Sequence, residues 1–143
     1  MPMLNITIAA PELQAAVIAT LTGNAPHMAL VTGGVYDAIP QQTSYPYEAI
    51  GALQENWADT FTDGLRSGML QLDTWSQFHG REEAQDIQAS QIALLNRTTQ
   101  ATLPLATLHL VYLRLDYADV LEDPDGRTWH GVTRYNWLIE ATS

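Results

Sequence analysis

Four histidines, sixteen carboxylates, one serine set among glycines and a pair of adjacent glycines are what this 143-residue chain offers for chemistry. His27, His79, His109 and His130 include no pair one helical turn apart, the spacing by which zinc enzymes bring two imidazoles to one ion. Acids stand near all of them but His27, and His109 and His130 fall on different strands of a C-terminal hairpin, well apart in its register. Single histidines at strand ends or at the surface is the reading left. Asp59-x-Phe61-x-Asp63-Gly64 and Asp123-Pro124-Asp125-Gly126 place carboxylates just before a glycine, as calcium loops do, but neither has the remaining oxygen ligands or the closing Glu. The second is better explained as a turn, with proline fixing one dihedral and glycine supplying a positive φ. Ser67, in Gly64-Leu65-Arg66-Ser67-Gly68, misses the Gly-x-Ser-x-Gly elbow by one position and follows no clear strand. Asp116 and Asp119 would serve glycoside cleavage only inside a cleft, which an outward-facing ribbon does not provide. Gly33-Gly34 opens no helix and reads as a flexible turn, not a phosphate cradle. No reaction is indicated, so no catalytic residue, metal ligand or cofactor is assigned and the chain reads as a non-enzyme.

Composition narrows the field further. Cysteine is absent, which removes disulfides, thiolate metal sites and thiol nucleophiles. Lysine is absent too, and all six basic residues are arginines, so neither a P-loop lysine nor Schiff-base chemistry is available. At 46% hydrophobic and 15% charged the chain has a globular composition, and residues 1–143 are expected to form a single domain. No apolar run approaches the roughly 20 residues that cross a bilayer, and the start lacks the pattern of a secretion signal, so a soluble protein made in a cytoplasm, without a membrane partner, is expected. The net charge of −10 opposes specific or nonspecific binding of a phosphate backbone.

The elements that would position these residues follow from periodicity. Leu13, Ala16, Val17 and Leu21 form one apolar stripe of a helix from Pro11 to Gly23, and a short helical turn over Pro26 to Val31 follows. Tyr45 to Leu53, led by proline, reads as a strand start or an edge strand. Glu55 to Gly68 breaks the period and is expected to be a loop, although it carries Trp57 and Phe61. Met69 to Phe78 alternates, with Leu70 and Leu72 on one side and Gln71, Asp73 and Trp75 on the other. Arg81 to Arg97 is a second helix whose apolar face holds Ala84, Ile87, Leu94 and Leu95, with acids in the first turn and Arg97 at its end.

Residues 101–143 close the chain as a long β-hairpin about the turn Glu122 to Gly126. Centring that turn on Pro124-Asp125 sets Leu110 opposite Ile139, Tyr112 opposite Trp137 and Arg114 opposite Tyr135, and a bulge at Gly126 would shift each pair. The fold class expected is α+β: a mostly antiparallel sheet of about five or six strands, two helices packed on one face, and a C-terminal β-hairpin.

The succession Val35-Tyr36-Asp37-x-x-Pro40, the Pro46-Tyr47 strand start, Trp75-Ser76 leading into Gly80-Arg81-Glu82-Glu83-Ala84, and the Asp123-Pro-Asp-Gly-Arg-Thr-Trp-His-Gly131 hairpin resembles the tail-completion and tail-terminator family of long-tailed bacteriophages. The resemblance covers nearly the whole chain. It implies a structural virion protein, assembled in the host cytoplasm, that caps the head-proximal end of the tail tube as a homo-oligomeric, hexameric ring. It further implies the tail tube protein and the head-tail connector or neck protein as partners, with DNA passing through the ring unbound, along an acidic wall. Contacts between subunits favour arginine beside aromatic rings, so Trp57, Phe61, Arg66, Arg127 and Trp129 are the candidate interface residues. Arg114 and Arg134 are expected either at contacts or on the sheet, paired within one subunit. A neck or head-completion protein of the same particle is the alternative, and a small α+β hydrolase using His109 or His130, or a ligand-binding domain, is the reading from another class.

Overall fold

Leu13, Val17 and Leu21 are fully buried at four-residue spacing, and they set the first helix, α1 (Ala10–Thr22), against the rest of the fold. The computed structural model describes residues 8–57 and 64–141. After α1 come the short α2 (Ala25–Leu30), β1 (Val35–Tyr36), β2 (Tyr47–Trp57), β3 (Leu65–Ser76), α3 (Glu82–Leu95), β4 (Leu108–Glu122) and β5 (Trp129–Ala141). The strands form a five-stranded sheet in the order β1-β2-β3-β5-β4, with β1 parallel to β2 and every other pair antiparallel. This is the α+β fold read from the sequence, with α2 as a third helix.

One buried cluster holds the layers together. It joins Leu13, Val17 and Leu21 of α1 and Ile87 and Leu95 of α3 to Leu70 and Leu72 of β3, Leu110 and Leu113 of β4, and Tyr135, Trp137 and Ile139 of β5. Those strand residues share one face of the sheet, so the helices cover that face. Gly68 makes the packing possible: a Cβ there would stand 1.8 Å from the Gln54 carbonyl oxygen and 2.7 Å from the Trp137 indole. The other face carries Gln71, Asp73 and Trp75 of β3 beside His130, Val132 and Arg134 of β5. No helix among the described residues is long and apolar enough to cross a membrane.

Two expectations are corrected. Both ends of the expected loop from Glu55 to Gly68 are strand, because β2 continues to Trp57 and β3 begins at Leu65. The alternation was hidden there because the helix-facing positions hold polar residues: Glu55 lies below the end of α1 and accepts from the amides of Ala9 and Ala10 at 3.1 and 2.9 Å. These are donors that an α-helix cannot satisfy itself, and a carboxylate suits the positive end of the helix dipole. Second, Arg97 is not in the last turn of α3. It stands beyond Leu95 with φ 64° and donates its amide to the Leu113 carbonyl at 2.8 Å.

The hairpin register, which the sequence left open, is set by β4. Leu110 does face Ile139, but Tyr112 faces Leu138 and Arg114 faces Asn136, because β4 has irregularities between Leu110 and Tyr112 and between Leu115 and Tyr117. Val111 and Asp116 are the extra residues, so the turn centres on Asp125-Gly126, where Gly126 has φ 71°. Segment 96–100 lies along this part of β4: Asn96 Oδ1 accepts from Leu115, and the amide of Leu113 donates to Thr98. A bulge adapts a strand to such a neighbour by adding one residue and a local kink.

Candidate assembly surfaces

Four of the buried polar residues, His27, Glu48, Gln91 and Thr133, belong to one hydrogen-bonded network. Glu48 on β2 accepts from His27 Nε2 at 2.5 Å and, at its other oxygen, from Gln91 of α3. His27 Nδ1 shares a 2.8 Å hydrogen bond with Ser90 Oγ, while Gln91 Oε1 accepts from the hydroxyls of Thr133 at 2.5 Å and Tyr135 at 2.8 Å. Burial, and then the Glu48 carboxylate, push the Tyr135 hydroxyl well above the usual phenol range. The network ties α2, α3, β2 and β5 together at a place without solvent, since His27, Glu48, Gln91 and Thr133 are all buried. Its geometry is that of a structural tie, with each costly buried group satisfied.

The other histidines sit in the outer layers. His130 stacks on Trp75 at 3.9 Å between ring centroids and meets Asp73 Oδ1 at 2.8 Å on the helix-free face of the sheet. His109 lies 4.0 Å from Glu140, both well exposed, a pair that contributes little in water. No group of three or more His, Cys, Asp or Glu among the described residues could hold a metal ion. An open groove of about 690 Å³ runs along α1 and is lined by Ile8, Ala10, Pro11, Gln14, Ala15, Ile18, Ala19 and Leu53, none of which can transfer a proton.

Of the five residues singled out as contact candidates, the four that are described fall at two ends of the sheet. Trp57 and Arg66 face each other across β2 and β3, and the guanidinium lies 3.9 Å over the indole. Arg66 Nε is 3.8 Å from Glu55, which in turn holds the start of α1, while Trp57 remains 46% exposed. Phe61 lies outside the described residues. Arg127 is exposed in the hairpin turn, and Trp129 opens β5 beneath Arg81, whose guanidinium is 4.8 Å from the ring. Trp129 pairs with Ser76, ten residues along β3 from Arg66, so the two patches are about 33 Å apart.

Two further arginines lie over aromatic rings on the helix-free face, where the sequence reading left them undecided: Arg114 is 4.1 Å from Tyr112 and Arg134 is 5.1 Å from Tyr117. Four of the six arginines are thus held against a ring. Such stacking holds the stem and fixes the direction of the guanidinium.

Comparison with known proteins places the chain in a family. A family model described as tail completion protein gp17 matches residues 15–140. Among solved structures, a chain from the virion of a native gene transfer agent particle is 25% identical with a TM-score of 0.78, over 93% of this chain and 98% of that one. The bacteriophage SPP1 gp17 protein shares the fold at a TM-score of 0.58 and 22% identity, over 100% of this chain and 97% of that one. No curated protein sequence matches the chain.

Proposed function

The chain belongs to the tail completion protein gp17 family, and from that footing we propose that it closes the head-proximal end of a phage-type tail tube as a ring, on which head and tail then join. The observation that carries this reading is the likeness, over nearly the full length of both chains, to a protein built into a virion. The ring would rest on the tail tube protein and present its other side to the connector or neck. Charge supports the DNA-handling part of the proposal. At −10, a wall of carboxylates would let duplex pass without sticking, and arginines held on aromatic rings would serve protein contacts. Trp57, Arg66, Arg127 and Trp129, with Phe61, are the residues proposed for those contacts.

Deletion of the gene tests the reading. Filled heads and separate tails of irregular, often excessive length are expected, because nothing stops the growing tube. Tails of normal length that remain unattached would retain the joining role and remove the length-limiting one, whereas normal joined particles would refute both.

A further inference from the structure

Tyr112, Arg114, Tyr117 and Arg134 share the helix-free face of β4 and β5. Arg114 faces Asn136, and Arg134 follows two residues back on the same strand, so the two arginines are diagonal neighbours about 7–8 Å apart between Cα atoms. Both are exposed, both lie over tyrosine rings, and Arg134 Nε donates to Gln71 Oε1 at 3.0 Å. Of the carboxylates along this part of β4, Asp116 is the extra residue of the bulge, and Asp119 already accepts from the Tyr117 hydroxyl and the Val120 amide. Tyr117 and Leu121 add half-exposed apolar surface at 42% and 48%.

A matching surface exists on the opposite layer. Glu82 and Asp86 are exposed at the start of α3, one helical turn apart, which puts their Cβ atoms about 5–6 Å from each other. They border a groove of about 340 Å³ that also includes Leu30 and Phe78, exposed by 41% and 48%. Each surface therefore combines two half-exposed apolar side chains with two exposed charges of opposite sign, while Glu83, which also lines the groove, accepts from the Ser76 hydroxyl.

We infer that the Arg114–Arg134 strip of one copy docks on the Glu82–Asp86 groove of the next. Two guanidiniums then meet two carboxylates, while Tyr117 and Leu121 cover Phe78 and Leu30. A chain of net charge −10 repels its own copies, and this contact sets its exposed arginine pair against an acidic turn. The two surfaces lie on opposite sides of the sheet and helix layers, so they cannot pair reciprocally in a two-fold dimer. The contact is head-to-tail, the kind that closes into a ring when the rotation per subunit divides the circle. The inference rests on the ring proposed above and names its subunit contact.

Charge exchange tests it. One variant carries Arg114→Glu with Arg134→Glu, the other Glu82→Arg with Asp86→Arg, and assembly of full-length protein is followed by light scattering and on purified tail tubes. Each variant alone is expected to assemble at least tenfold more weakly than the wild type, and an equimolar mixture to recover, because alternating copies restore every contact in an even-numbered ring. Unimpaired assembly of both variants, or failure of the mixture while each keeps its circular dichroism spectrum and melting midpoint, overturns the contact. The ring reading would survive that result if wild-type chain still formed rings. Wild-type chain that stays monomeric both free and on tubes would sink both. Should a reversed variant misfold, Arg134→Cys and Asp86→Cys chains, in a protein with no other cysteine, are mixed and treated with a short bismaleimide. Linked pairs in the mixture alone are expected, and their absence counts against the contact.

Discussion

His27 and Glu48, 21 residues apart in sequence, share a 2.5 Å hydrogen bond at a site that neither side chain leaves for solvent. Glu48 also binds Gln91, so the pair fastens α2 to β2 and α3 at once. Removing either partner strands the other in a low-dielectric site. His27→Ala and Glu48→Ala are each expected to cost about 3–5 kcal/mol of folding stability in urea titrations. Glu48→Gln keeps the shape and one acceptor and is expected to cost less than Glu48→Ala. Losses near about 1 kcal/mol in both alanine variants, the scale of one ordinary hydrogen bond, would show that the pair is not the tie described.

Trp57 is expected to behave in the opposite way. Its ring is half exposed and its described partner is the Arg66 guanidinium, a contact that contributes about 0.5–1 kcal/mol at such a site. Trp57→Ala should therefore leave the melting midpoint nearly unchanged, while weakening assembly by about 2 kcal/mol or more if the ring anchors a neighbour. A drop in folding stability of roughly 3–5 kcal/mol would place the ring in the core and remove it from the contact set.

Much of this fold was legible wherever the sequence pattern reports burial directly. Leu13, Val17 and Leu21 repeat at helical spacing, Leu70 and Leu72 alternate with Gln71 and Asp73, and Asp-Pro-Asp-Gly marks the final turn. The pattern failed where a polar residue occupies a helix-facing position for a reason distant in sequence. Glu55 interrupts the alternation because it serves the amides of Ala9 and Ala10, so paired strand read as loop. His27 had no acid near it in sequence, and its partner arrives from β2. The signal that could have found Glu48 was its place two residues before Ile50 on the same strand face, a buried carboxylate position that demands a donor. Register was lost at Val111 and Asp116, since a bulge fitted to segment 96–100 leaves no trace in composition. Of the contact candidates, the arginine and tryptophan types were legible, but the pairing of Trp57 with Arg66 was hidden with the strand ends that read as loop.

Two carboxylates should give the protein a measurable acid sensitivity. Burial alone would raise the pKa of Glu12, but hydrogen bonds from the Thr107 hydroxyl and from the Thr107 and Leu108 amides outweigh it, holding the group below its unfolded value of 4.5. At the hairpin turn the Thr128 hydroxyl, then the Arg127 and Thr128 amides, hold Asp125 below 3.8. In both cases the folded state binds a proton more weakly than the unfolded chain, so the stabilisation is present above the unfolded pKa and is lost as pH falls through the lower, folded one. Glu12 fastens the start of α1 to the start of β4, and Asp125 shapes the β4–β5 turn. Glu12→Gln and Asp125→Asn should each melt below the wild type at pH 7, and the gap should narrow progressively as the pH falls below about 4. Melting curves across that range decide the matter: a gap as wide at pH 3 as at pH 7 would mean that these hydrogen bonds do not depend on the carboxylate charge, and the assignment of acid sensitivity to Glu12 and Asp125 would fail.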